Sequence, residues 1–85
     1  MMVVDRTSAI VAANVRGLRA VACMNQQEIA DRMKGMGHTT WSRATVSEIE
    51  RGGRRVTVDE MVDLAVVFGV APCDLLDEPH GFGHG

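Results

Sequence analysis

An all-α fold of five short helices is what this sequence predicts, and three observations carry it. Apolar residues recur at spacings of three and four; polar capping patterns precede two of those stripes; and the apolar mass comes from Leu, Val, Ala, Ile and six Met, with aromatics at only 4%. That palette and periodicity suit packed helices. The 85 residues, 46% of them hydrophobic, suffice for one compact core and are too few for two independent domains.

The first helix is predicted to run from a cap at Thr7 or Ser8 to about Ala22. Val11, Val15, Leu18 and Ala22 fall on one face, with Arg6, Asn14 and Arg16 off it. Asn25 caps a second helix: its side chain accepts from a free backbone N–H, and Glu28 reaches back as the capping-box partner. Ile29 and Met33 form the buried side, the small Ala30 lets another helix approach, and Gly35 and Gly37 end the helix. From Gly35 to Trp41 there is neither a helical stripe nor a strand alternation, so this segment is a connector.

Ser42 caps a third helix, Arg43 to Glu50, with Val46 and Ile49 inward, Arg43, Ala44, Ser47 and Glu48 outward, and Gly52-Gly53 at its end. Thr57 and Glu60 repeat the capping box ahead of the stripe Met61, Leu64, Ala65 and Phe68, and Gly69 closes that fourth helix. Pro72 suits a first helical turn and opens a short fifth helix to Leu76. Residues 1–77 thus make the domain and 78–85 a flexible tail.

The net charge of −2 is not that of a generic polyanion binder, but the charges are unevenly placed. Arg43, Arg51, Arg54 and Arg55 fall in one stretch, whereas Asp59, Glu60, Asp63, Asp74, Asp77 and Glu78 follow without a base among them. The molecule is therefore expected to be electrically two-faced. No apolar run is long enough to span a bilayer and the start resembles no signal peptide, which implies a soluble, cytoplasmic protein. Cys23 and Cys73, in helix-like contexts, are expected as reduced core thiols, with a structural disulfide as the alternative. No nucleophile with a base, carboxylate pair or metal-ligand spacing stands out, so neither an enzyme nor a cofactor is expected.

Two short helices joined by a turn, an apolar spine at Ile29, Val46 and Ile49, and an Arg-rich loop just afterwards form the pattern that sets one helix in a DNA major groove. The segment Asn25-Gln26-Gln27-Glu28-Ile29-Ala30, followed by Ser42-Arg43-Ala44-Thr45-Val46-Ser47-Glu48-Ile49-Glu50-Arg51-Gly52, resembles the lambda repressor and Cro type (Xre family) of helix-turn-helix regulators. Leu64-Ala65, Phe68-Gly69-Val70 and Asp74-Leu75-Leu76 are similar to that family's last two helices, so the resemblance runs from about Val11 to Leu76. The sequence departs from the family in the connector, where extra residues lie between Lys34 and Trp41. Connectors of that kind resemble a variant found in actinobacteria and their phages, and the resemblance does not fix the angle between the two helices.

The resemblance implies a transcriptional regulator, a repressor in the first instance, whose outward residues Arg43, Ala44, Ser47 and Glu48 reach base edges. Arg pairs bidentately with guanine, Ala meets a thymine methyl, and Glu accepts from the cytosine amino group. Glu48 has the alternative of holding Arg43, Arg51 or Arg55 in place. Phosphate contacts are implied for Gln26, Arg51, Arg54 and Arg55, with ordinary solvated charge as the other reading of the arginines, and Thr45 and Thr57 are lesser candidates. The acid at Glu50 is implied to pair structurally with Arg19.

Trp41 plugs the gap between helices or lies against a phosphate, His38 touches DNA or stands in solvent, and Met24, Met33 and Met61 fill the core. A homodimer on a pseudo-palindromic operator is expected, with Val70, Pro72, Leu75 and Leu76 as its interface unless those leucines only close the monomer core. With no effector domain evident, control is expected through abundance, partners or assembly. The rival reading is a protein-interaction module, such as an antirepressor or antitoxin subunit, built on the same fold.

Overall fold

A computed structural model of the chain describes residues 5–78 and contains four α-helices and one 3-10 turn. They are α1 (Arg6–Ala22), α2 (Gln26–Gly35), α3 (Arg43–Glu50) and α4 (Val58–Phe68), followed by the 3-10 turn Pro72–Leu75. The all-helical expectation holds among these residues, but the fifth helix is a single tight turn. Pro72 starts it and Leu76 already serves as its carboxyl cap, so no α-helical hydrogen-bond ladder is established. The expected tail lies outside the described residues, apart from Glu78. No helix among them is long and apolar enough to cross a membrane.

Asp5, not Thr7 or Ser8, caps α1: its carboxylate accepts from the Ser8 backbone N–H at 2.7 Å, and Ser8 is buried. That N–H, the Ser8 hydroxyl and Arg55 hold the Asp5 carboxyl below its ordinary pKa. Val11 and Val15 are buried as the stripe requires and Ala12 joins them, while Leu18 packs on the core margin and Ala22 is exposed, because the last turn of α1 runs past the core. Asn14, off the stripe, donates to the carbonyls of Leu75 and Asp77 at 2.8 and 2.7 Å and so ties the end of the fold to α1.

Cys23 ends α1 in the left-handed conformation at φ 56°, a position that favours glycine. Its thiol is exposed, as is that of Cys73 on the outside of the 3-10 turn; both are free, which corrects the expectation of core thiols. Leu75, not Cys73, is the inward residue of that turn.

Both capping boxes are present. Asn25 accepts from Glu28 N–H and Glu28 from Asn25 N–H, each at 2.8 Å; Thr57 and Glu60 make the same exchange at 3.1 and 2.9 Å. Ser42 precedes α3 as expected, but there the Thr45 hydroxyl accepts from the Ser42 backbone N–H at 3.1 Å. Ile29, Ala30 and Met33 of α2 meet Val46 and Ile49 of α3, Val11 and Val15 of α1, Leu64 and Ala65 of α4, and Leu75 in one core. Met24 and Met61 pack at its edge.

The long connector is a built turn. Met36 and His38 N–H groups return to the Met33 carbonyl, Gly37 takes φ 105°, and Trp41 is only 3% exposed, plugging the core between α2, α3 and α4. Its indole N–H donates to Glu60 Oε2 at 3.0 Å. Arg54 donates to both Glu60 oxygens at 3.2 and 3.0 Å and lies 5.6 Å from the Trp41 ring centroid, within cation–π range. Nearer the start of the turn, His38 Nε2 sits 2.6 Å from Asp63 Oδ2 of α4. His38 is thus a structural tie, not a solvent-exposed turn residue.

Burial by itself would raise the Glu60 pKa, but the bonds from Arg54, the Thr57 N–H and Trp41 outweigh it and hold the carboxyl at about 2 against an ordinary 4.5. A depressed folded pKa contributes stability that is complete above the unfolded value and is lost as pH falls towards the folded one. Between about pH 5 and pH 2 the domain should therefore lose melting temperature, and Glu60→Gln should flatten that dependence. Thermal unfolding at pH 7 and pH 3 checks this; equal slopes for the two proteins would show that Glu60 is not the group concerned.

Candidate nucleic-acid interface

The eight residues of α3 divide by period. Val46, Ile49 and Glu50 turn inward and are buried; Arg43 and Ala44 are exposed, and Thr45, Ser47 and Glu48 are partly so. α3 packs on α1 and α2, so its outward face is set by their shared core. Arg43 makes no ion pair or hydrogen bond among the described residues, and it borders an open cleft with Arg19, Asn25, Gln26 and Gln27. The amino ends of α2 and α3 therefore meet at one place, with backbone N–H groups and an unengaged guanidinium together. Such a place favours an anion.

Glu50 is the anchor of this arrangement. Only 6% exposed, it accepts from Arg19 Nε at 2.6 Å and Nη2 at 3.1 Å, and from Gln26 Nε2 at 3.0 Å. Arg19 also donates to the Met24 carbonyl at 3.1 Å, and its hydrogen bonds to the Glu50 carboxylate raise its pKa. The pair expected between Arg19 and Glu50 is present and locks α1 to α3. Gln26, expected at a phosphate, instead has its side-chain amide committed to Glu50, though it still stands at the start of α2. Arg16 donates to the Glu50 main-chain carbonyl, a role the sequence reading missed. The available signal was its place three residues before Arg19 on the same helix.

The loop arginines are all engaged. Arg51 donates to Ser47 Oγ at 2.9 Å and pairs with Glu48, so Glu48 takes the holding role and Arg51 lies along the outward face of α3. Glu48 Oε2 would sit 2.9 Å from a Cβ at Gly53, so that glycine leaves room for the carboxylate. Arg55 pairs with Asp5 at 2.7 Å while its side chain stays largely exposed. Arg54 is turned inward onto Glu60 and Trp41, which removes it from the phosphate set and makes it structural. Thr45 is partly exposed beside Ser42, and Thr57 is occupied as the cap of α4.

Of the expected interface residues, Leu75 is completely buried and closes the monomer core. Val70 is partly buried against that core, while Pro72 and Leu76 are exposed. Among the described residues no group of His, Cys, Asp and Glu is placed to hold a metal ion.

These features define a DNA-binding regulator of the lambda repressor-like kind, and the chain belongs to the helix-turn-helix family, whose model matches residues 23–75. Its structure is similar to that of a hypothetical transcription factor, NHTF, from Neisseria, with a TM-score of 0.76 and 25% identity over 96% of this chain and 90% of that one. It is also similar to the DNA-binding domain of BldD, with a TM-score of 0.66 and 25% identity over 84% of this chain and 94% of that one. No curated protein matches the chain at a significant level. The family is one of transcriptional regulators, not of enzymes.

Proposed function

We propose that this protein is a sequence-specific repressor that sets α3 in the major groove and works as two copies on a pseudo-palindromic operator. The observation that carries the reading is Arg43: exposed at the amino end of α3, unpaired among the described residues, and beside the cleft at the start of α2. In the groove Arg43 pairs with a guanine edge, Ala44 meets a thymine methyl, and Ser47 and Glu48 orient Arg51 along the same face. Arg51, Arg55, Thr45 and the backbone at Gln26 take phosphates and set the register. A head this small buries limited surface, so two copies supply the affinity of a working operator complex, and occupancy of a promoter excludes polymerase.

The test is affinity for duplex DNA measured against salt. Each cationic phosphate contact adds about 0.9 to the slope of log K on log salt. Arg55→Ala should lower that slope by about one for each copy bound and weaken every sequence alike, whereas Arg43→Ala should chiefly narrow the gap between preferred and random duplexes. Binding that ignores salt, or no binding, would overturn the reading in favour of a protein-interaction module.

A further inference from the structure

The carboxyl end of α3 is closed by two glycines that do different things. Gly52, at φ 73°, donates its N–H to the Ile49 carbonyl and Gly53 donates to the Glu48 carbonyl, each at 2.9 Å, the paired bonds that end a helix on a left-handed residue. That turn folds Gly53 back over Glu48. Gly52 needs to be glycine for its backbone, whereas Gly53 lies outside the left-handed region, where alanine fits as well. What a side chain at 53 would meet is the Glu48 carboxylate, with a Cβ 2.9 Å from Oε2 and 3.1 Å from Cδ. The second glycine thus keeps a place for one carboxylate.

In that place Glu48 pairs with Arg51 Nη2, while Arg51 Nη1 donates to Ser47 Oγ at 2.9 Å, so both arms of the guanidinium fork are held on the outward face of α3. Each side chain of the ion pair keeps more than two-fifths of its surface in water, and a pair so exposed adds little to stability. Glu48 is also the one acid among the outward residues of α3, where the phosphates of a bound duplex oppose it. Neither fold stability nor raw affinity for DNA accounts for it.

Resting on the DNA-binding reading above, we infer that Glu48 and Gly53 are selectivity determinants that act by clamping Arg51. A loose arginine reaches phosphates on any duplex, whatever its sequence. Held at two points, Arg51 presents its remaining N–H groups in one direction, to the phosphate that α3 meets when seated on its preferred sequence. Towards phosphates elsewhere the adjoining carboxylate offsets its charge. Selectivity is a ratio of affinities, so weakening the random complex raises it as surely as strengthening the preferred one. Glu48 works through Arg51 and reads no base, and Gly53 works through Glu48.

The test compares wild type, Glu48→Gln, Gly53→Ala and the double variant on a selected duplex and on a random one, across a range of salt. Gly53→Ala is the discriminating variant, because it displaces the carboxylate while every charge stays in the protein, and its melting temperature should stay near that of wild type because only the end of a flexible side chain moves. Both single variants should bind the random duplex about two- to fivefold more tightly, the scale of one exposed ion pair. Their salt dependence on that duplex should steepen by up to about 0.9 per bound copy, the selected motif should be unchanged, and the double variant should go no further than Glu48→Gln. Random-duplex binding unchanged or weakened in Gly53→Ala would overturn the inference, leaving Glu48 a simple repulsive charge. A motif altered at a cytosine in Glu48→Gln would overturn it in favour of a base contact. Without DNA, nitrogen relaxation of the Arg51 Nε–H should show an ordered side chain in wild type and a mobile one in both variants. If wild type binds no duplex, the DNA reading fails, and that relaxation measurement still decides whether the clamp exists; an equally mobile Arg51 in all the proteins would show that it does not.

Discussion

Glu50→Ala should destabilise the domain by about 3 kcal/mol, the lower end of the range for removing one partner of a buried ion pair. The lower end applies because Glu50 is buried whereas Arg19 keeps part of its surface in water. The substitution removes the acceptor shared by Arg19 Nε, Arg19 Nη2 and the Gln26 amide, and leaves the guanidinium only the Met24 carbonyl. For a domain of this length that loss lowers the melting temperature by on the order of 15 °C. Glu50→Gln retains an acceptor for Gln26 and Arg19 and should cost distinctly less. Thermal unfolding of the three proteins checks the order; equal melting temperatures would mean that the pair does not hold α1 to α3.

Trp41→Ala should cost about 3–5 kcal/mol, the range for emptying a buried aromatic site. The loss is compound: the plug between α2, α3 and α4 is removed, Glu60 loses a donor, and Arg54 loses the ring it lies over. Trp41→Phe refills most of the space and forfeits the indole hydrogen bond, at about 1 kcal/mol. Because Trp41 ends the long turn, the alanine variant should also bind DNA more weakly even at a temperature where it remains folded. Chemical denaturation gives the stabilities, and an alanine variant as stable as the phenylalanine one would contradict the role given to the ring.

What the sequence made legible follows the range of the interaction. The capping boxes at Asn25–Glu28 and Thr57–Glu60 are local, three residues apart, and both stand as read. The inward and outward sides of α3 followed from period alone. The amino end of α1 reads locally as capped by Thr7 or Ser8, whereas the cap is Asp5, set by burial of Ser8 and by Arg55, fifty positions away in the chain. The arginines of the loop look alike in sequence, yet one is exposed on Asp5, one lies along α3 on Glu48, and one is folded inward on Glu60. Those fates depend on acids brought near by folding, which no local pattern encodes.

The connector shows the same limit. Its glycines marked a turn, but that His38 and Trp41 both fasten it to α4 depends on Asp63 and Glu60, which capping and charge patterns had placed only in an acidic helix. The two cysteines were misplaced for a related reason: helix-like context does not reveal whether a residue falls on the cap or outside of a turn.

The central claim, that α3 reads DNA sequence through Arg43, is tested most directly by selecting bound duplexes from a random-sequence pool at near-physiological salt, with wild type and Arg43→Ala in parallel. A palindromic motif should emerge for the wild type, and the variant should lose preference at a guanine position in each half, where a bidentate pair discriminates by about 1–3 kcal/mol. An unenriched pool for the wild type, or an identical motif from both proteins, would contradict it.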